Sequence, residues 1–285
     1  MVKKLFRKPF IRAIDLLLCV LFVCLVSSPL LAGEFDYLNQ PQIAQSSGFA
    51  GTQALTETDL MYMSKQVADK GYTFKVGPNS ATRRPLTSLC GFKMPKDELK
   101  AAPESQIQAL AALPSSWDWR AQGGTTPIKD QGNCGSCWSF GTIGPMESAI
   151  KIKDKTTVDL SEQYLLSCNT KGYSCSGGWW CFDMLTNPGA VLESCQPYKA
   201  SKVACNSTCS KPYKLSGWGY VSGQYSIPSV DAMKTAIYTY GPIGVAVAAD
   251  SYFQSYTGGV FNHNYGGQVN HAVVLVGWDD SKGAW

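Results

Sequence analysis

Two side chains in this sequence have complementary chemistry and lie far apart along it: the thiol of Cys137 and the imidazole of His271. From Ser136 to Lys153, Phe140, Ile143, Met146 and Ile150 recur every three to four residues, which predicts a helix. Cys137 then falls in its first turn, where unpaired amides and the helix dipole favour a thiolate. His271 opens an apolar run to Val276 that reads as a strand. In a Cys–His pair the imidazolium stabilises the thiolate, the thiolate attacks a peptide carbonyl, and the histidine protonates the leaving amine. Gln131, six residues before Cys137, can offer its side-chain amide to the developing oxyanion together with the Cys137 backbone amide. The competing chemistry is reversible disulfide exchange between Cys134 and Cys137, but Trp138-Ser139-Phe140 and the nearby glycines lack the βαβ setting of a thioredoxin-like motif.

The elements that must position this pair follow from periodicity. A helix opened by Thr56 or Thr58 runs through Leu60, Met61, Met63 and Val67 to Lys70; others are expected over residues 160–166 and, opened by Ser229, 230–240. Pro145 is expected to kink the central helix. Strands are expected at residues 243–248, 259–261 and 271–276, with turns at Gly258-Gly259 and Gly266-Gly267. Helices first and antiparallel strands later make the chain α+β, not a doubly wound parallel sheet. His263 is expected at the surface near a turn.

Of the 11 cysteines, eight fall between Cys134 and Cys209, a density that means disulfides in an exported chain. Zinc is disfavoured, since no second C-x2-C follows Cys134-Gly-Ser-Cys137 and both histidines are remote; no metal and no cofactor is expected. Export itself is read from residues 1–33. A basic stretch through Arg12, an apolar run from Leu16 to Val26 and small residues to Ala32-Gly33 form a secretory signal, with a retained anchor as the alternative. That leader holds five of the 25 basic and one of the 21 acidic residues, leaving 20 of each in the remainder. A neutral remainder, with no basic groove around its aromatic residues, argues against nucleic-acid binding. Asn206-Ser207-Thr208 fits an N-glycosylation acceptor for a eukaryotic secretory host.

The stretch Gln131-Gly-Asn-Cys134-Gly-Ser-Cys137-Trp-Ser-Phe140 resembles the active-site sequence of the papain-like cysteine proteases, whose C-G-S-C-W signature precedes a histidine by about 130–150 residues. Trp117-Asp-Trp-Arg120, Leu160-Ser-Glu-Gln163, Gly177-Gly178, Gly241-Pro242, Asn270-His-Ala-Val273 and Gly277-Trp278 extend the resemblance over residues 113–285. It implies a two-lobed α+β fold, helical in one lobe and antiparallel and barrel-like in the other. It also implies a Cys137–His271 peptidase with Gln131 at the oxyanion, acting on peptides or proteins as a monomer in an extracytoplasmic compartment. By the same resemblance Gly178 hydrogen-bonds an extended substrate through its backbone, and Trp180, Ala246, Val269 and Ala272 line an apolar substrate pocket. Cys134 pairs with Cys175, and Cys168 with Cys205 or Cys209; Cys181 with Cys195 is the expected third bridge.

Residues 34–112 stand where such enzymes carry an inhibitory pro-segment, although the family's long helix motif is not evident in them. Tyr72 to Asn79 is the expected piece in the cleft, with Arg83, Arg84 and Cys90 following. Family members carry an orienting Asn and a following Trp after a Trp that Trp285 resembles. Neither Asn262, Asn264 nor Asn270 fills that place, so the closing strands are expected to be missing and the record truncated. The rival reading is an inactive papain-like module that binds peptides or proteins.

Overall fold

A computed structural model of the chain describes residues 51–94, 110, 112–223, 227–264 and 266–285. The expected leader lies outside these residues. Among those described, no helix is long and apolar enough to cross a membrane.

Helix α1 (Glu57–Asp69) begins where the sequence supplies a cap: the Thr56 side chain accepts from the Asp59 amide, and the Asp59 carboxylate accepts from the Thr56 amide. Its buried face is Asp59, Met63 and Val67, residues spaced by four as a single helical stripe requires. Strand β1 (Phe74–Val76) follows, then a 3-10 turn at Leu86–Ser88 and strand β2 (Ser116–Asp118).

The central helix α2 (Cys137–Asp154) ends on Lys155 in the left-handed conformation. It is continuous through Pro145, a residue expected to count against an unbroken helix. Proline there leaves the carbonyl four residues earlier, on Gly141, without its helical donor. The backbone of Gly244 packs onto that same carbonyl so closely that a Cβ on residue 244 would come within 2.7 Å of it.

Helices α3 (Glu162–Cys168) and α4 (Phe182–Thr186) complete the helical part, and α5 (Val230–Tyr240) opens on Ser229, whose side chain accepts from the Ala232 amide. The rest is β3 (Ile243–Val247), α6 (Ser251–Gln254), β4 (Tyr256–Gly259), β5 (His271–Leu275) and β6 (Gly277–Asp279). The strand expected at residues 259–261 thus lies at 256–259. All three ladders are antiparallel two-stranded pairs: β1 with β4, β2 with β6, and β3 with β5. The fold is α+β, and no closed barrel forms among the described residues.

The core gathers around α2. Trp138, Ile143, Met146, Leu160, Leu165, Leu166 and Leu185 are each at most 2% exposed and belong to one cluster, which includes Phe92 from the amino-terminal segment. Helix α2 also packs across β3 and β5. The register Val247↔His271 sets His271 at the start of β5. Disulfides join Cys134 to Cys175, Cys168 to Cys205, and Cys195 to Cys209. The expected Cys181–Cys195 bridge is replaced by Cys195–Cys209, because Cys209 follows Cys195 by 14 residues in a loop that turns back on itself. Cys181 instead stands just before α4 as a fully buried free thiol.

Candidate active site

Cys137 is the first residue of α2 and is 1% exposed. It is placed by the loop before it. Cys134 is tied covalently to Cys175, and the Gly135 amide donates to the Cys175 carbonyl at 3.0 Å. Pairing Cys134 in this way removes it as a redox partner of Cys137, the expected test against disulfide exchange. Deeper in the loop, Lys129 reaches three carboxylates, those of Glu147 on α2, Asp159, and Glu162 on α3, at 2.7, 2.7 and 3.0 Å. A cavity of about 370 Å³ lies against this ionic cluster.

The cleft at Cys137 is filled by the chain itself. Residues 89–93 cross it through a ladder of backbone bonds. The Gln131 side-chain amide donates to the Leu89 carbonyl at 2.9 Å, and the Gly91 amide donates to Cys137 Sγ at 3.3 Å. Next, the Gly178 amide donates to the Gly91 carbonyl, the Phe92 amide to the Asn270 carbonyl, and the Lys93 amide to the Gly178 carbonyl, each at 2.9 Å. The Phe92–Gly178 bridge is parallel. Gln131 therefore points its donor at a carbonyl beside the sulfur, and also donates to the Cys134 carbonyl at 2.7 Å. Gly91 must be glycine: a Cβ there would lie 1.7 Å from the Gly135 carbonyl oxygen.

Phe92 is 2% exposed, with ring centroids 4.5 Å from both Trp179 and Trp180. Trp180 and Ala272 are buried in the same cluster, and Ala246 packs against it. The expected pocket residue Val269 is 40% exposed and is not part of that cluster. Trp179, the Asn270 carbonyl and residues 89–93 are site features that motif reading missed. A Trp-Trp pair after two glycines is the one signal that could have marked Trp179.

The segment expected in the cleft, Tyr72 to Asn79, lies elsewhere. Its β1 pairs with β4, and Phe74 packs on Tyr72, Tyr252 and Phe261. Alternating apolar residues suit a strand on an aromatic surface, whereas the cleft needs a residue without a side chain against Gly135. His263 is likewise not a surface residue: its side chain is 12% exposed, with Nε2 2.9 Å from the Asp250 carboxylate and Nδ1 3.1 Å from the Tyr72 hydroxyl. Tyr72 covers it.

Electrostatically, burial in the filled cleft disfavours the charged form of both Cys137 and His271. Burial pushes the Cys137 thiol above its ordinary value, against the opposing pull of backbone amides at Ala272 and Gly91. Burial lowers His271, opposed by the nearby backbone of Leu89. His271 Nδ1 is buried with no hydrogen-bond partner among the described residues. Among those residues no group of histidine, cysteine and carboxylate side chains is arranged to hold a metal ion.

A family model described as "Papain family cysteine protease" matches residues 113–285. Stem bromelain of Ananas comosus is 40% identical over 172 residues, covering 59% of this chain and 78% of that protein. Falcipain-2a of Plasmodium falciparum is 38% identical over 169 residues, 58% of this chain and 34% of that protein, so the chain spans about a third of the latter relative. Among solved structures, digestive procathepsin L2 proteinase from Tenebrio molitor larval midgut superposes with a TM-score of 0.68 at 30% identity, covering 78% of this chain and 75% of that one. A match over residues 113–285, more than half of the chain, settles the relationship: the chain belongs to the papain family of cysteine proteases.

Proposed function

We propose that the chain is the proform of a cysteine peptidase. In this reading residues 113–285 hydrolyse peptide bonds through Cys137 and His271, residues 34–112 are an inhibitory pro-segment, and residues 1–33 direct export. The observation that carries this reading is the ladder at residues 89–93, which sets a peptide carbonyl on Gln131 and a peptide amide on Cys137 Sγ. A peptide therefore already lies where a substrate would react. The segment pairs in parallel with Gly178, and the group it sets against Sγ is the Gly91 amide, which offers the sulfur a proton donor and not a carbon to attack.

In the substrate complex, the Gln131 amide and the Cys137 backbone amide would stabilise the oxyanion, and His271 would return its proton to the leaving nitrogen. Trp180, Ala246 and Ala272 would form the wall of an apolar substrate pocket, with Trp179 closing it where Phe92 now sits. The three disulfides fit an extracytoplasmic compartment.

The test is covalent labelling with a peptide-like epoxide after removal of residues 34–112. Label on Cys137, not Cys181, with parallel loss of peptide hydrolysis, is expected. Absence of both would favour the inactive binding module.

Retention of the pro-segment should depend on pH from both sides. His271 is held below its ordinary value while covered. The resulting contribution to retention is therefore present above about pH 6.5 and is lost as pH falls through the depressed value. The Cys137 thiol is held above its ordinary value, so its contribution is present below that value and is lost as pH rises through the raised one. The rate of Cys137 labelling in the intact chain should thus be lowest near neutrality and climb on the acid side. A flat acid limb would show that His271 does not govern release.

A further inference from the structure

We propose that Cys90 is a second redox site of this chain, placed to form a disulfide with Cys137 that locks the pro-segment in the cleft until a reductant opens it. The inference rests on the proform reading and adds a covalent device to it.

Among the described residues six cysteines are paired and three are free: Cys90, Cys137 and Cys181. Cys181 is fully buried at the start of α4. Cys90, in contrast, is bonded directly to Gly91, whose amide touches Cys137 Sγ at 3.3 Å. The Cα of Cys90 is two covalent bonds from that nitrogen, so standard bond lengths place it within about 6 Å of the Cys137 sulfur. The Cys137 Cα lies at most ~3 Å beyond its sulfur, so the two Cα atoms are within about 9 Å of each other, a bound that includes the span of roughly 4.4–6.8 Å that a disulfide needs. The peptide on both sides is clamped: the Cys90 amide donates to the Leu86 carbonyl at 3.0 Å, and the Leu89 and Gly91 carbonyls accept from Gln131 and Gly178. Two thiols held in this way meet at high effective concentration, and a cysteine contributes little to clamping a peptide without its sulfur chemistry.

The oxidant is a low-molecular-weight disulfide, RSSR. Cys90 is half-buried and Cys137 buried, so RSSR meets Cys90 first. The Cys90 thiolate attacks one sulfur of RSSR, forming Cys90–S–SR and releasing RS⁻. The Cys137 thiolate then attacks the Cys90 sulfur, forming the Cys90–Cys137 bond and releasing a second RS⁻. The two thiols lose two protons and two electrons, and RSSR becomes two RSH. Burial, with the nearby Cys137 adding to it, pushes the Cys90 thiol up to about 12, so the first exchange is slow at neutral pH and faster in alkali. The same burial protects the formed bond.

The experiment treats the intact full-length chain with oxidised glutathione, quenches with acid and maps peptides without reduction. A peptide pair joining Cys90 to Cys137, absent after dithiothreitol and absent from Cys90→Ser, is expected. The oxidised wild type should then resist Cys137 labelling at acid pH until dithiothreitol is added, with Cys90→Ser and Cys90→Ala labelling at least tenfold faster before reduction. Recovery of Cys90 and Cys137 as unlinked thiols or separate glutathione adducts, or a Cys90 link to another cysteine, would overturn the proposal. So would a Cys90–Cys137 link that leaves acid labelling unchanged. The map requires no catalysis; failure of the peptidase reading would instead appear as no labelling in reduced protein freed of the pro-segment.

Discussion

Gly91→Ala is expected to expose Cys137 in the intact chain, raising its rate of labelling by ~100-fold or more at neutral pH. The added methyl would lie 1.7 Å from the Gly135 carbonyl oxygen and within 2.7 Å of the Gly135 Cα, and all three atoms nearest to it are backbone. No rotamer relieves that clash. Gly135 itself cannot retreat, because it is anchored between the Cys134–Cys175 disulfide and its bond to the Cys175 carbonyl. The segment must therefore lift, and three hydrogen bonds lift with it: Gly91 to Sγ, Gly178 to Gly91, and Lys93 to Gly178. At about 1 kcal/mol each, the loss is about 3 kcal/mol, which corresponds to the ~100-fold change. The contrast is Arg84→Ala. Its bidentate pair with Asp130 also joins the segment to the rest of the chain, yet the Asp130 side chain is 56% exposed, and exposed pairs contribute ~1 kcal/mol or less. Labelling should rise less than about fivefold there. Equal effects of the two variants would mean that charge, not the fit at Gly135, holds the segment.

The same glycine shows where sequence reading stops. Cys137 and His271 were legible because a helix start and a strand start carry local signals: a 3.6-residue period after Ser136, and an apolar run after Asn270. Thr56 and Ser229 were legible as caps for the same local reason. The occupant of the cleft was not. Tyr72 to Asn79 has the alternation of an extended peptide, but that pattern is satisfied equally well by β4 and by an aromatic surface of Tyr252 and Phe261. Only the three-dimensional approach of Gly135 selects a segment with glycine at one position. His263 and Cys181 were misread for a related reason: a turn-like setting does not reveal that Tyr72, from 191 residues away, covers the imidazole. Likewise, cysteine spacing leaves several pairings open until a loop's path is known.

Lys129→Met should destabilise the fold by about 3–5 kcal/mol, which for a domain of this size is a fall in Tm of roughly 10 °C. The lysine Nζ meets the carboxylates of Glu147 and Glu162, whose side chains are 1% and 3% exposed, and also donates to the Leu160 carbonyl at 3.0 Å. Glu147 in turn accepts from the Leu160 amide at 2.8 Å and from the Thr126 hydroxyl at 2.6 Å. One cation thus ties the loop leading to Gln131 and Cys137 to both α2 and α3. Burial alone would lower the lysine, but the carboxylates of Glu162 and Glu147 outweigh it and hold the ammonium well above its usual range. Methionine fills a similar volume and removes only the charge, leaving two buried carboxyls without a counterion. Burial already holds the Glu162 carboxyl up at about 8 against the pull of Lys129; without the lysine it rises further, so stability is retained below the ordinary glutamate value of about 4.3 and is lost as pH climbs. The deficit of Lys129→Met should therefore be smallest in acid and grow toward neutrality. Adding Glu147→Gln and Glu162→Gln should flatten that pH dependence and recover part of the loss, since a neutral hydrogen-bonded cluster avoids the unpaired charges. A deficit that does not vary with pH would assign the role of Lys129 to packing. A pH-dependent one, accompanied by slower labelling of Cys137 after pro-segment removal, would show that this buried charge also holds the oxyanion donor of the proposed reaction in place.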